Sequence, residues 1–431
     1  MTTSRISPQE NHLDFAPIQQ ATGENPAALD FAFISAPLSV SAWKVGWETI
    51  ASSALAPSAS QTNEPVRRND SRKTRRICTS GAVIVLLLLV SGEMCVAQTN
   101  HEMQSSATIH QTTADLLAGL PKGVAYSGFR HGQHPDRGDG AANPSDMEIL
   151  DDLKILARNS NFGLIRLYDS QANSAAALRL IQANKLKLKV MLGAWLSAEV
   201  SNPHCPWLTT PIPQATLDAN KIKNQGEIER AIRLAKEYPG LVAAVNVGNE
   251  TLVDWTDHMV SLESIISYVR QVKHAIRQPV TVADNYAWWT KNGPPLAKEI
   301  DFVTVHTYPA WENKGIDEAL SWSIANVQGV HEALPQSRIV IGEAGWATVA
   351  SEFGKRASEE NQKRYVNELT AWAARNNVTA FIFEAFDEDW KGDPSDALGA
   401  EKHWGLFTVD RKAKLAMHEL YPDRVAAKAK E

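Results

Sequence analysis

The chain has 431 residues, of which 44% are hydrophobic and 21% charged, a composition that excludes a fibre or a wholly disordered polymer. A formal net charge of -6 provides no concentrated cationic surface for phosphates, which excludes a nucleic-acid partner and suits a neutral polymer. Thirteen Trp against eleven Phe and eight Tyr is an unusual emphasis, and an indole face covers either a core or a flat apolar ligand.

Residues 1–66 follow neither a helical nor a strand period and are rich in Ser, Thr, Ala, Asn and Pro. They are expected to be unstructured, with the native start placed near Val66. Arg67, Arg68, Arg72, Lys73, Arg75 and Arg76 then precede the apolar run 81–90 and the small residues of Cys95-Val96-Ala97. That order makes 67–97 a signal peptide cleaved after Ala97. The run falls short of the roughly 20 residues of a bilayer span, so a secreted or periplasmic protein is expected; a retained anchor through 77–92 is the alternative. Of three cysteines only Cys205 lies beyond the signal, so no internal disulfide is available. Residues 98–120 read as a linker, and the catalytic domain as 121–425.

From Pro121 onward, β-branched runs alternate with stretches of helical period. The runs are 122–126, 163–169, 188–193, 242–250, 279–283, 302–306, 338–343 and 379–384. Between them, Ser145-Asp-Met-Glu148 is a capping box ahead of Leu150, Leu153, Leu156 and Ala157 on one face, and Ser358 precedes Tyr365, Val366, Leu369 and Trp372. Eight βα units over about 300 residues give an α/β fold of the (β/α)8 TIM-barrel type, with the active site at the strand C-terminal ends. The competing doubly wound open sheet lacks a Gly-rich phosphate loop after its first strand.

Buried parallel strands are apolar, so ionisable residues where such runs stop mark a barrel mouth. The fourth run ends in Asn249-Glu250, the seventh in Glu343-Ala-Gly-Trp346, the second in Arg166-Leu-Tyr168-Asp169 and the sixth in His306-Thr-Tyr308-Pro309. Glycosidic hydrolysis needs one protonated and one anionic carboxyl group, and Glu250 and Glu343 supply such a pair. Asn249 is placed to hydrogen-bond a sugar 2-hydroxyl. Arg166 and Asp169 read as an ion pair under the site.

At these motifs the sequence resembles glycoside hydrolase family 17, the β-1,3-glucanases and related bacterial enzymes, from about Gly123 to Phe407. Val247-Gly-Asn-Glu250 resembles the family's acid/base motif and Glu343-Ala-Gly-Trp346 its nucleophile motif, while the first three runs match in order and spacing. Phe386-Asp-Glu-Asp-Trp-Lys391 followed by Glu401-Lys-His-Trp-Gly-Leu-Phe407 is similar to the family's Glu-x-x-Lys…Glu-x-x-x-Gly-Leu-Phe segment. The resemblance implies a retaining β-1,3-glucanase with Glu250 as acid/base, Glu343 as nucleophile, and Glu388, Lys391 and Glu401 as a charged support that orients Glu343 and adjusts its pKa. Two departures stand out. Ala347-Thr348 replaces the family's frequent Pro-Ser, and His306 stands where plant enzymes usually have Asn.

Candidate substrate contacts are Asn249, Tyr126, Tyr168, His306 and Tyr308 at strand ends, with Trp288, Trp289, Trp346 and Trp390 just beyond strands five, seven and eight. A loop-borne Trp needs packing or a ligand, and so does Trp311 past strand six. Trp195 and Trp207 read as cover for the long third-strand loop. His131, His134 and Asp136 have no helix or hairpin to aim them, so no metal and no cofactor is expected. The expected partner is a β-glucan polysaccharide or oligosaccharide, bound by a monomer. Transglycosylation by the same residues, or a non-catalytic glucan-binding barrel, are the other readings; the last predicts a lost carboxylate, and both are present.

Overall fold

The computed structural model describes residues 109–112, 116–136, 140–158 and 161–426. The extension and signal read at 1–97 lie outside these residues. Among the described residues no helix is long and apolar enough to cross a membrane.

Eight parallel strands close a barrel in chain order: β1 (Lys122–Ala125), β2 (Leu164–Arg166), β3 (Lys189–Ala194), β4 (Val242–Asn249), β5 (Val280–Asn285), β6 (Val303–His306), β7 (Ile339–Ala344) and β8 (Ala380–Ile382). Closure is made where Gly123 of β1 pairs with Phe381 of β8. Each of the eight runs expected from the sequence contributes its strand. The helices are α1 (Asp146–Ala157), α2 (Ala172–Ala183), α3 (Gln214–Glu237), α4 (Leu262–Ala275), α5 (Tyr286–Asn292), α6 (Pro294–Ala297), α7 (Ile316–Ala333) and α8 (Glu359–Arg375). The Ser145 capping box is formed, with Ser145 Oγ accepting from the Glu148 amide and Glu148 Oε2 from the Ser145 amide. Ser358 caps α8 through the Asn361 amide.

Helices bury one stripe and strands bury both faces, which fixes what lies inside. In α4, Ile265, Tyr268, Val269 and Val272 recur at three- and four-residue spacing and are buried. Each such aliphatic side chain contributes about 1.5–3 kcal/mol on leaving water. Inside the barrel, Leu164, Met191, Ala244, Phe302, Val340 and Phe381 form one apolar layer with Leu117. Side chains alternate along a strand, so the residues two positions further on, Arg166, Asn246, Thr304 and Gly342, face the same interior one layer nearer the strand C-terminal ends. The interior thus turns polar toward the mouth. Ile109–Thr112, ahead of the expected start at Pro121, is also part of the folded unit: Ile109 is buried, and Gln111 exchanges hydrogen bonds with the backbone of Ile339 at the start of β7.

Candidate active site

Both acidic strand ends depart from regular pairing. On β7 two residues, Gly342 and Glu343, span one step of β6, and Glu343 pairs with His306. On β4 the register slips between Asn246 and Asn249, and the chain leaves the strand through left-handed conformations at Gly248 (φ +77) and Glu250 (φ +47). Such bulges re-aim side chains, here turning both carboxyl groups into the mouth. Gly342 carries no side chain because a Cβ there would lie 2.3 Å from Thr304 Cγ2 and 3.2 Å from His306 Nε2.

One side-chain atom from each of Glu250, His306 and Glu343 lies within 4.8 Å of the others. His306 stands between the acids, its Nδ1 2.8 Å from Glu250 Oε1 and 3.6 Å from Glu343 Oε2. Glu343 is buried and fully engaged. Arg166 Nη1 donates to its Oε1 at 2.5 Å, Tyr168 donates to Oε1 at 2.9 Å and Tyr308 to Oε2 at 2.6 Å. Burial alone pushes this carboxyl up, but the charges of His306 and Arg166 and the two phenol hydrogen bonds outweigh it and hold Glu343 below the ordinary carboxylate range. Burial keeps both phenols well above their usual range, so they remain donors. Glu250 is more open, with 26% of its side chain exposed against 7% for Glu343. Two carboxylates and an imidazole at this spacing could hold a divalent ion, in competition with the three donors that already converge on Glu343.

Arg166 also donates to Asn249 Oδ1 at 2.5 Å, fixing the amide next to Glu250. Its partner is therefore Glu343 rather than Asp169, which instead accepts from Ser174 and the Gln171 amide. His258, stacked on Trp195 at 4.6 Å, donates from Nε2 to the Asn249 carbonyl and steadies the same turn.

The charged support differs in its contacts. Lys391 Nζ lies 2.6 Å from Glu384 Oε2 and 2.7 Å from Glu388 Oε2, and none of the three bonds to Glu343. Arg166 and the two tyrosines orient Glu343 instead. Burial pushes Glu384 well above the usual range despite Lys391, whereas in Glu388 the Lys391 charge outweighs burial and the carboxyl falls below it. Glu401 does reach the mouth. Burial, opposed by Lys391 and reinforced by Glu352, Glu343 and Glu250, pushes its carboxyl up to about 7.

A cleft at the mouth is lined by Glu250, Glu343, Glu401, Tyr308, Phe383 and Trp404, and beyond them by Trp207, Trp255, Asp257, His258, Asn285, Trp311 and Glu312. The expected aromatic contacts are therefore reassigned. Trp289 and Trp346 are wholly buried, their indole N–H groups spent on the Thr304 and Arg356 carbonyls, so neither has a face for a ligand. Tyr126 is buried beside Asp152 and Phe386, and Trp288 packs on Trp289. Trp390 packs edge-on against Phe129. None of these five lines the cleft. Trp207, read as loop cover, does line it. Trp404, which no strand-end pattern marks, lines it as well, and its buried Nε1 has no hydrogen-bond partner among the described residues. The signal for it was weak, because Trp404 follows no strand and only the closed barrel brings its segment to the mouth.

The BtgE/BtgC glycoside hydrolase domain is the family whose model matches, over residues 123–405. The glucan 1,3-beta-glucosidase of Arthroderma benhamiae is 30% identical over 275 residues, which is 58% of this chain and 78% of that protein. The probable glucan endo-1,3-beta-glucosidase btgC of Aspergillus clavatus is 26% identical over 298 residues, 63% of this chain but only 39% of that protein. Both organisms are fungi. Among solved structures, an endo-laminarinase from Formosa Hel1_33_131 superposes with a TM-score of 0.59 at 27% identity, covering 70% of this chain and 86% of that one.

Proposed function

Since the chain belongs to the BtgE/BtgC glycoside hydrolase family, we propose that this glycosidase cleaves β-1,3-glucosidic linkages in glucans with retention of configuration, using Glu343 as nucleophile and Glu250 as acid/base. The observation that carries the reading is the spacing of the pair, with carboxylate and imidazole atoms within 4.8 Å of one another. Retaining glycosidases hold their carboxyl groups about 5–5.5 Å apart, whereas inverting ones need about 6.5–9.5 Å to admit a water.

Glu343, held anionic by Arg166 and two phenols, attacks the anomeric carbon. As the bond to the leaving oxygen breaks, Glu250 gives that oxygen its proton, and a glycosyl ester forms on Glu343. Glu250, now anionic, takes a proton from water, the water oxygen displaces Glu343 from the anomeric carbon, and the β-anomer leaves with Glu250 reprotonated. Asn249, locked by Arg166, is aimed to bind the sugar 2-hydroxyl. Trp311, half-buried at the cleft, furnishes a ring face, and the buried Trp404 backs the wall by packing edge-on against Tyr308. The linkage follows from the family 17 motifs and from the names of the relatives.

The arginine-rich stretch and apolar run of 67–97 support secretion or periplasmic placement of the monomeric enzyme, with an anchor through 77–92 as the variant form. If a sugar hydroxyl replaces water in the second step, the same residues transfer rather than hydrolyse. A product time course on laminarin, lichenan and cellulose, with laminari-oligosaccharides as acceptors, tests linkage and outcome together. Short laminari-oligosaccharides of β configuration are expected; products longer than the substrate would assign transfer. No release from laminarin refutes the linkage, and α products refute the retaining mechanism.

A further inference from the structure

Asp284, the penultimate residue of β5 and next to Ala283, is fully buried and has no ion-pair partner among the described residues. A buried carboxyl without a cation is costly, and nothing in the barrel core requires one. Burial, followed by the charge of Glu250, pushes it well above the ordinary range. Its oxygens have two hydrogen-bonded partners, both backbone amides: Oδ1 accepts from Asn285 at 2.8 Å, and Oδ2 accepts from Leu252 at 3.0 Å. Leu252 is two residues past Glu250.

We infer that Asp284 is a positioning residue for the acid/base, clamping the turn on which Glu250 stands. The inference rests on the assignment of Glu250 proposed above. Glu250 adopts a left-handed backbone at φ +47, a conformation that costs a non-glycine residue about 1–3 kcal/mol and persists only where the surroundings over-determine it. Two anchors on β5 bracket it. The Glu250 amide donates to the Ala283 carbonyl at 2.9 Å, and the Leu252 amide to Asp284. The first is ordinary strand pairing; the second exists only because position 284 carries an acceptor. The Asn285 amide fixes the Asp284 carboxyl, while the Asn285 side chain caps α5 and lines the cleft, so the clamp is tied to the wall that faces the substrate.

The test uses Asp284→Asn, whose amide cannot accept from both N–H groups, and Asp284→Ser, which removes the reach to Leu252, with Glu250→Gln as reference. Each is assayed for kcat/KM on laminarin and on 2,4-dinitrophenyl β-laminaribioside, whose leaving group departs without a proton. A displaced acid should lower kcat/KM on laminarin by about 100-fold, the effect of misplacing a catalytic group by about an ångström, and leave the dinitrophenyl substrate within about 3-fold. The ratio of the two is read on one sample and is therefore independent of the folded fraction. It separates a misplaced acid from general damage. Equal loss on both substrates, or loss on neither, overturns the clamp when Glu250→Gln shows the selective loss. If Glu250→Gln itself loses both equally, the acid/base assignment fails instead.

Discussion

Arg166→Met removes the buried guanidinium that bonds to Glu343. The guanidinium makes two charge-assisted or short bonds at 2.5 Å, to Glu343 Oε1 and to Asn249 Oδ1, and it reaches them from β2, on the far side of the mouth from β7. Breaking a buried ion pair by removing one partner costs about 3–5 kcal/mol, because the remaining charge stays desolvated. If most of that cost is felt at the transition state, kcat/KM falls by about 100- to 1000-fold. The same loss shifts the titration of Glu343. With Arg166 gone, burial is opposed only by His306 and the two phenols, so the carboxyl holds its proton to higher pH. The acid limb of kcat/KM should therefore move to higher pH. Arg166→Lys keeps a charge but cannot reach both partners, and should fall between wild type and Met. The assay is kcat/KM on laminarin across pH, with the melting temperature recorded at each point. An Arg166→Met enzyme within about 3-fold of wild type, with its acid limb unmoved, would refute the argument that Arg166 holds Glu343 ionised.

Trp311→Ala should raise KM on laminari-oligosaccharides by about 10-fold, a loss comparable to one stacking contact, while Trp288→Ala leaves KM unchanged because that ring lies outside the cleft. The reverse pattern would return the stacking role to the strand-five loop. Glu401 holds its proton more tightly in the fold than in the unfolded chain, so it adds stability that is complete below its unfolded pKa and is lost as pH rises through about 7. The melting temperature of wild type should therefore decline more steeply across neutrality than that of Glu401→Gln, and parallel curves in a melting series would show that Glu401 is not the group responsible.

Local pattern carried much of this protein. A strand buried on both faces must be apolar, so a carboxylate where the run stops is visible in one dimension; that is why β4 and β7 could be placed with Glu250 and Glu343 at their ends. The Ser145 box is local in the same way, since its partners are three residues apart. Aromatic position after a strand was a poorer guide, because two neighbouring indoles such as Trp288 and Trp289 point different ways and one of them goes wholly into the core. The family resemblance was likewise a poor guide to which groups the charged segment touches. Lys391 pairs with Glu388 and Glu384, three and seven residues along the chain, instead of with the nucleophile.

Arg166 sits 177 residues from Glu343, and Trp404 reaches the mouth only after β8 has paired with β1. No period or motif encodes such a distance. The sequence by itself determined that eight βα units would place two carboxylates at one end, because strand and helix periodicities are properties of neighbouring residues. Which cation faces the nucleophile, which rings face the cleft, and which buried acid holds the turn at Glu250 were decided by barrel closure, since only closure sets the separation between side chains borne by different strands.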